Sequence, residues 1–335
     1  MSEMPETRRL EAPHRRLDVH PMGGPSREAA STPFLAGALE PSLIAACDGR
    51  LRKLAWFRTD WQRGGALTGY AEFLGDAGDS HSVVVKAPLR PIELTWLRRL
   101  QLDGTVAPRL HASGDTLGPY DLAWAVMERL PVGPMGHAWG GREVEHIAQA
   151  AVRFYKAAAA FPCDGPVPCR DWDHTLTLSR EKLRLHTLPN AARWGHALKA
   201  AQKRVREWMK LWQDRPTLDW CHGDLHPPNA MSRHPAPEGP AVLLDYALTH
   251  VGHWVEDAVY FEHLFWSKRH RLADRKPTKL IAQHRKQQGL PVDADWPRYA
   301  QVRRLLLALA TPANLDQYGD PAHVDAALQV LEAEV

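Results

Sequence analysis

Apolar and polar residues alternate in short runs along the first part of the chain, a pattern typical of β-strands. LRKLAWFRTDWQRGGALTGYAEFLG predicts two strands joined by a turn at Gly64–Gly65, and SHSVVVKAP predicts a third strand that ends near Lys86. PYDLAWAVMERLP predicts another buried strand, which Pro131 stops. Between these runs, RPIELTWLRRL has a proline suited to a first helical turn and apolar residues at helical spacing. Residues 36–131 therefore predict a small, mainly β unit with one helix.

The second part of the chain has the periodicity of α-helices. REVEHIAQAAVRFYKAAAAF places its apolar residues on one helical face, and further helices are predicted over residues 192–212 and in PTKLIAQHRKQQ, WPRYAQVRRLLLALA and AHVDAALQVLEAEV. Two short apolar runs, TLDWC and AVLLD, predict strands within this helical part, and we expect them to form a hairpin-like floor. Residues 132–335 therefore predict a larger, mainly α unit, so the whole chain is α+β.

Composition and charge exclude several classes of function. The 335 residues are 44% apolar, enough for a sizeable core, and the net charge of +3 is too small for a dedicated nucleic-acid-binding protein. No apolar run approaches the roughly 18 residues that a membrane span needs. Residues 1–35 lack the apolar segment of a secretory signal, and we expect a flexible N-terminal tail there. The four cysteines form no CxxC pair, which favours reduced thiols in the cytoplasm.

The polar stretch HGDLHPPN carries the candidate chemistry. Two consecutive prolines prevent a helix, so His222–Asn229 is predicted to be a loop. Asn229, and Asp245 at the end of AVLLD, offer the hard oxygen ligands that Mg²⁺ prefers. Asp224 is then left to orient or deprotonate an attacking hydroxyl. This division of labour suits phosphoryl transfer, and His-x-Asp-x4-Asn is the spacing of the protein-kinase catalytic loop.

HGDLHPPN, followed by LLDYALTHVGHWVED, resembles the aminoglycoside phosphotransferase and choline kinase-like family of small-molecule kinases. The resemblance implies a protein-kinase-like two-lobe fold, with an antiparallel β-rich N-lobe (residues 36–131) and a mainly α C-lobe (residues 132–335). It also implies ATP and Mg²⁺ as cofactors. The acceptor would be a hydroxyl of a small molecule such as an aminoglycoside, an amino alcohol or a sugar.

Several roles follow from this resemblance residue by residue. Asp224 resembles the catalytic aspartate, while Asn229 and Asp245 resemble the magnesium ligands. His222 resembles the structural histidine that braces the loop. Gly252 and Asp257 match the family's later glycine and aspartate, and we expect Asp257 to accept hydrogen bonds from the loop backbone.

The nucleotide side of the site is expected in the N-lobe. Lys86 ends an apolar strand as the kinase lysine does, and Glu93 lies on the inward helical face, where a carboxylate needs a partner such as Lys86. The family binds adenine on the connector between the lobes, which MERLP resembles. Glu128 and Leu130 would offer main-chain groups to adenine, with Met127 as a gatekeeping side chain. Gly64 and Gly65 lie where a glycine-rich loop belongs, although GxGxxG is missing.

Two alternatives remain open from the sequence. The chain could be a catalytically silent, kinase-like nucleotide-binding protein. It could also be a metallohydrolase with His222, Asp224 and His226 as metal ligands, although that hypothesis gives Asn229 and Asp245 no role.

Overall fold

A five-stranded antiparallel sheet forms the N-lobe. The computed structural model describes residues 34–58, 66–137, 139–186, 188–235, 239–315 and 320–334. The strands are β1 (Leu51–Arg58), β2 (Leu67–Leu74), β3 (Ser80–Leu89), β4 (Leu110–Gly114) and β5 (Ala123–Glu128), in the order β1-β2-β3-β5-β4. Four of these strands are predicted from the sequence. The fifth, β4, is not, because all five of its residues are half-buried and give no alternation between core and solvent.

The described part of the N-lobe contains two α-helices, so the prediction of one helix is wrong. α1 (Phe34–Ala46) begins two residues inside the predicted tail and buries Ala36, Leu39 and Leu43 completely against the sheet. Its apolar spacing is helical, but Pro41 inside the helix is a residue that normally indicates a break. The second helix, α2 (Pro91–Arg99), is the predicted one.

Helix α2 also joins the two lobes. The fully buried Trp96 of α2 makes edge-to-face contacts with Phe154 and Trp220 of the C-lobe, with ring centroids 5.6 Å and 4.9 Å apart. Edge-to-face aromatic contacts of this kind stabilise packing beyond the area they bury. Helix α2, which carries Glu93, therefore belongs to the N-lobe but is also packed against the C-lobe.

Within the described ranges, seven helices form the C-lobe. They are α3 (Glu143–Ala158), α4 (Trp172–Leu185), α5 (Ala191–Gln213), α6 (Val255–His263), α7 (Pro277–Gln287), α8 (Trp296–Ala310) and α9 (Pro321–Glu332). The apolar face predicted for α3 is buried as expected. The sequence does not predict α4 or α6. In α6 nearly every side chain is buried, so no polar face marks its period.

Four short strands frame the polar loop. β6 (Asp219–Cys221) pairs with β9 (His250–Gly252), and β7 (Ala230–Ser232) pairs with β8 (Ala241–Leu243). The expected hairpin of β6 with β8 is therefore wrong. β8 pairs instead with β7, which lies nearer in sequence and closes a shorter loop at a smaller entropic cost. No helix in the described part of the chain combines the length and apolar character that a membrane span requires.

Candidate active site

The loop His222–Asn229 is fastened to the end of β8 through the backbone of Leu244. The Nε2 atom of His222 lies 3.0 Å from the Leu244 carbonyl oxygen, and the Leu244 N–H donates to the Asn229 carbonyl oxygen at 2.8 Å. These two contacts bring the loop beside Asp245 even though β6 and β8 do not pair.

Asp257 in the first turn of α6 holds the start of this loop. Its carboxylate accepts hydrogen bonds from the backbone N–H of His222 at 2.7 Å and of Gly223 at 2.8 Å. The Tyr155 hydroxyl donates to the same carboxylate at 3.0 Å. This is the loop-backbone contact expected for Asp257. Helix α6, which the sequence does not predict, thus fixes the loop's position.

His222 and two glycines complete the support of the loop. His222 is fully buried, and burial lowers the pKa of its imidazole, so the ring is neutral and its Nδ1 accepts from the Asp224 N–H at 3.2 Å. Gly223 has a φ of +81°, and a Cβ there would collide with the Leu248 carbonyl oxygen. A Cβ on Gly252 would collide with the Glu256 carboxylate. The positive φ and the close approach of the Leu248 carbonyl therefore require glycine at position 223.

The Asp224 carboxylate lies at the centre of the site. Asn229 Nδ2 donates to Oδ2 at 2.9 Å, the Tyr260 hydroxyl donates to Oδ1 at 2.9 Å, and His226 Nε2 lies 3.4 Å from Oδ1. Burial alone would raise the pKa of Asp224. The hydrogen bonds of His226 and Tyr260 outweigh burial and hold that pKa well below its usual value. The carboxylate is therefore ionised and suited to accept a hydrogen bond from a hydroxyl.

Sequence reasoning missed Tyr260 altogether and assigned His226 only to the metallohydrolase alternative. A signal for Tyr260 was available, because Tyr260 follows Asp257 by three residues on α6 and so shares its helical face. That signal depends on recognising α6 as a helix.

Lys86 links the two lobes across the site. Its Nζ contacts Glu93 Oε1 and lies 3.2 Å from Asp245 Oδ1. Burial alone would lower the pKa of Lys86, but the neighbouring carboxylates of Glu93 and Asp245 raise it above 10.5, so the amine is charged. Glu93 is only 3% exposed. Its ion pair with Lys86 is the one expected from the position of Glu93 on the inward face of α2.

Asn229 and Asp245 offer ligand atoms of the kind that fits Mg²⁺. Asp245 has a φ of +62°, an uncommon conformation for a residue other than glycine, and such outliers concentrate at functional sites. The Asn229 side chain turns its nitrogen to Asp224, which directs its amide oxygen away from that carboxylate. A carboxylate and an amide oxygen are hard ligands of the kind Mg²⁺ prefers. The residues present therefore fit the ion.

The connector after β5 is held by an ion pair between the lobes. Arg233 of the C-lobe donates to both carboxylate oxygens of Glu128, with Nε–Oε1 at 2.9 Å and Nη2–Oε2 at 2.7 Å. The Glu128 N–H already donates to the Arg109 carbonyl at 2.8 Å, so a main-chain contact with adenine would have to use the Glu128 carbonyl. Met127 is half-buried on β5 and Leu130 is buried just beyond it. Gly64 and Gly65 lie outside the described residues.

The geometry gives no support to a metal site made of His222, Asp224 and His226. Both ring nitrogens of His222 face other groups, namely the Asp224 N–H and the Leu244 carbonyl.

Among the described residues, three possible metal ligands lie close together only at Cys221, His250 and Glu256. There the Arg215 guanidinium already pairs with Glu256 at 2.8 Å, and burial raises the pKa of the Cys221 thiol, so the thiol stays protonated. The cluster is accordingly a buried ion network.

Comparisons with known proteins identify the family and the fold of the chain. The chain matches the sequence model of the phosphotransferase enzyme family over residues 77–302, which is more than half of its length. No curated protein matches the chain.

Solved structures of three small-molecule kinases share the fold. An aminoglycoside phosphotransferase from Alicyclobacillus acidocaldarius is 17% identical, with a TM-score of 0.55 over 92% of this chain and 94% of that chain. A choline/ethanolamine kinase family protein from Mesorhizobium loti is 14% identical, with a TM-score of 0.52 over 88% and 93% of the two chains. Choline kinase LicA from Streptococcus pneumoniae is 13% identical, with a TM-score of 0.51 over 90% and 100%. These similarities confirm the predicted two-lobe α+β fold.

Proposed function

Because the chain belongs to the phosphotransferase enzyme family, we propose that it is an ATP- and Mg²⁺-dependent kinase that transfers the γ-phosphate to a hydroxyl of a small molecule. The observation that carries this proposal is the meeting of charged groups from both lobes. Lys86 of β3 lies against Asp245, and Asp245 adjoins the loop in which Asn229 holds Asp224. This arrangement supports a site in which Lys86 is the cation, Asn229 and Asp245 are the ion ligands and Asp224 is the base.

Each group has a defined task in the transfer. Asp224 accepts the hydrogen bond of the acceptor hydroxyl, directs its oxygen at the γ-phosphorus and takes its proton as the new bond forms. Lys86 stabilises negative charge on the phosphate oxygens, and Glu93 keeps that amine in place. Asn229 and Asp245 would hold magnesium, which supplies further neutralisation of the phosphate charge. His222, Gly252 and Asp257 keep the loop in this geometry.

The nucleotide would lie between the sheet and the C-lobe. We assign adenine to the connector, with Glu128 and Leu130 offering main-chain groups and Met127 beside the base. A kinase that uses ATP and carries reduced thiols is expected in the cytoplasm.

A screen for ADP release tests this function directly. The purified protein, Mg²⁺ and ATP are combined with aminoglycosides, amino alcohols, sugars and macrolides, which span the acceptor classes of the family. We expect at least one class to stimulate ADP release and to become phosphorylated, as mass spectrometry would show. ATP binding without turnover on any class would favour the catalytically silent alternative instead.

The variant Asp224→Asn tests the role of the base. Loss of general-base catalysis should lower the rate of phosphoryl transfer about 10²- to 10⁴-fold. Binding of Mg·ATP should persist, because the proposed ion ligands are intact. Asp115→Asn is the matched control, since the Asp115 side chain is 76% exposed and pairs with Arg98 on the surface. Transfer by Asp224→Asn at the rate of the control would refute the assigned role.

A further inference from the structure

The hydrogen bond from Tyr260 to Asp224 carries a second inference, which rests on the proposed function. Among the described residues, Asn229 donates to Oδ2 of Asp224, while Tyr260 and His226 lie within 3.4 Å of Oδ1. A carboxylate oxygen accepts about two hydrogen bonds. An acceptor hydroxyl must approach its base to within roughly 2.6–3.2 Å. A hydroxyl that approaches Oδ1 must therefore replace one of the groups already there.

His226 is the group that is held in place. It belongs to the catalytic loop itself, is 8% exposed, and its Nδ1 accepts the Asn229 N–H at 3.3 Å. Loss of His226 from Oδ1 would therefore disturb the short turn that positions Asn229.

Tyr260 differs from His226 in its position outside the loop and in its exposure. It comes from α6, outside the loop, and its side chain is only half-buried. Of the three groups, it is the one that brings a hydroxyl, and its oxygen lies 2.9 Å from Oδ1. That is the same functional group, at the same distance, that the transfer reaction requires of an acceptor.

We propose that the Tyr260 hydroxyl occupies the place of the acceptor hydroxyl beside Oδ1 of Asp224, and that a substrate hydroxyl that binds this oxygen has to displace it. Tyr260 is thus a specificity-determining residue. While it is in place, water cannot bind Oδ1 in the position of the acceptor hydroxyl. Exclusion of water in this way protects ATP from hydrolysis until a true acceptor arrives.

The test uses water as the acceptor, so no substrate has to be known. In this hydrolysis the water oxygen bonds to the γ-phosphorus, and the bond from that phosphorus to the β–γ bridging oxygen breaks. ADP leaves with the electron pair, the water proton passes to Asp224, and inorganic phosphate is released. In Tyr260→Phe the place beside Oδ1 is open to water. We expect acceptor-free hydrolysis to rise about tenfold or more, the factor that corresponds to one hydrogen bond to a charged group.

Tyr299→Phe is the matched control, because Tyr299 is a largely buried tyrosine on α8 that packs on His253. We expect it to hydrolyse ATP at the wild-type rate. Melting temperatures establish that both variants are folded. Tyr260→Met, which also lacks the hydroxyl, provides a second variant and should show the same rise.

The possible outcomes separate the two proposals. Wild-type protein that fails to bind Mg·ATP in calorimetry would overturn both the function and the role of Tyr260. If all proteins bind Mg·ATP but neither Tyr260 variant hydrolyses it faster than Tyr299→Phe, the displacement role is wrong and the proposed function stands. Slower hydrolysis in Tyr260→Phe would also overturn the inference, because it would show that the hydroxyl assists Asp224.

Discussion

At the scale of single residues, the site depends on charges that are buried but paired. Lys86 and Glu93 have side chains that are 15% and 4% exposed, and neither could stay charged there alone. The sequence allows this pair to be predicted, because an acidic residue on the apolar face of a helix requires a cation. It does not allow the second partner of Lys86 to be predicted from spacing alone, because Asp245 is 159 residues away.

The variant Glu93→Gln should therefore destabilise the protein. Removing one partner of a buried ion pair usually costs 3–5 kcal/mol, and since Asp245 remains near Lys86 we expect about 3 kcal/mol. Unfolding in guanidinium chloride measures the change.

The control for this variant is Glu72→Gln on β2, in the sheet that carries Lys86. Glu72 pairs with Lys53 at 2.8 Å, but these side chains are 41% and 74% exposed. Such a surface pair contributes less than about 1 kcal/mol. Equal losses in the two variants would show that burial of the Lys86–Glu93 pair has no special importance.

At the scale of secondary-structure elements, the loop depends on α6 and on a glycine turn. Asp257 of α6 binds the backbone at positions 222 and 223, and Gly223 passes close to Leu248. The motif HGDLHPPN locates the loop in the sequence, and Pro227 and Pro228 correctly exclude a helix. The partner strands β7 and β9 have only three residues each, too few for any periodicity to show.

Gly223→Ala tests the contribution of this turn. A left-handed conformation costs about 1–2 kcal/mol for alanine, and the new methyl group would also collide with the Leu248 carbonyl. We expect kcat to fall about 100-fold through displacement of Asp224, because small misplacements of reacting groups have effects of that size.

Gly49→Ala separates the two effects. Gly49 has a φ of +70° and nothing within 4 Å of an added Cβ, so it carries the backbone cost without the collision. We expect it to lose stability but keep kcat. A similar kcat for the two variants would contradict the importance of the close approach at Gly223.

At the scale of the whole molecule, ion pairs tie the lobes together in addition to the aromatic packing of α2. One is the contact of Lys86 with Asp245 across the site, and the other is the ion pair of Glu128 with Arg233 at the connector. The division into a β-rich and an α-rich part follows from the change in hydrophobic period along the chain. The Glu128–Arg233 pair cannot be predicted from the sequence, because no sequence signal distinguishes Arg233 from the chain's other arginines.

Arg233→Gln should reduce stability in a pH-dependent way. Burial alone would raise the pKa of Glu128, but the hydrogen bonds from Arg233 and from the Arg109 backbone hold it below 4.5. A carboxyl group whose pKa is lowered by folding stabilises the folded state at pH values above its ordinary pKa. This stabilisation is lost as the pH falls through the folded-state pKa. The variant should therefore lose about 2 kcal/mol at pH 7, and the loss should shrink below pH 4.5.

Arg98→Gln provides the comparison, since Arg98 also contacts both carboxylate oxygens of Asp115 but on the surface, with side chains 41% and 76% exposed. Its loss in unfolding free energy should be under about 1 kcal/mol. A loss in Arg233→Gln that did not depend on pH would contradict the contribution of the Glu128 carboxylate.

Calorimetric titration of ATP into the protein, with and without Mg²⁺, tests the central claim most directly. If Asp245 ligates the ion beside Lys86, wild-type protein binds ATP more tightly when Mg²⁺ is present, and Asp245→Asn loses that gain. Asp295→Asn, which removes a carboxylate that is 58% exposed, should keep the gain. Equal Mg²⁺-dependent affinity in wild-type protein and Asp245→Asn would contradict the account.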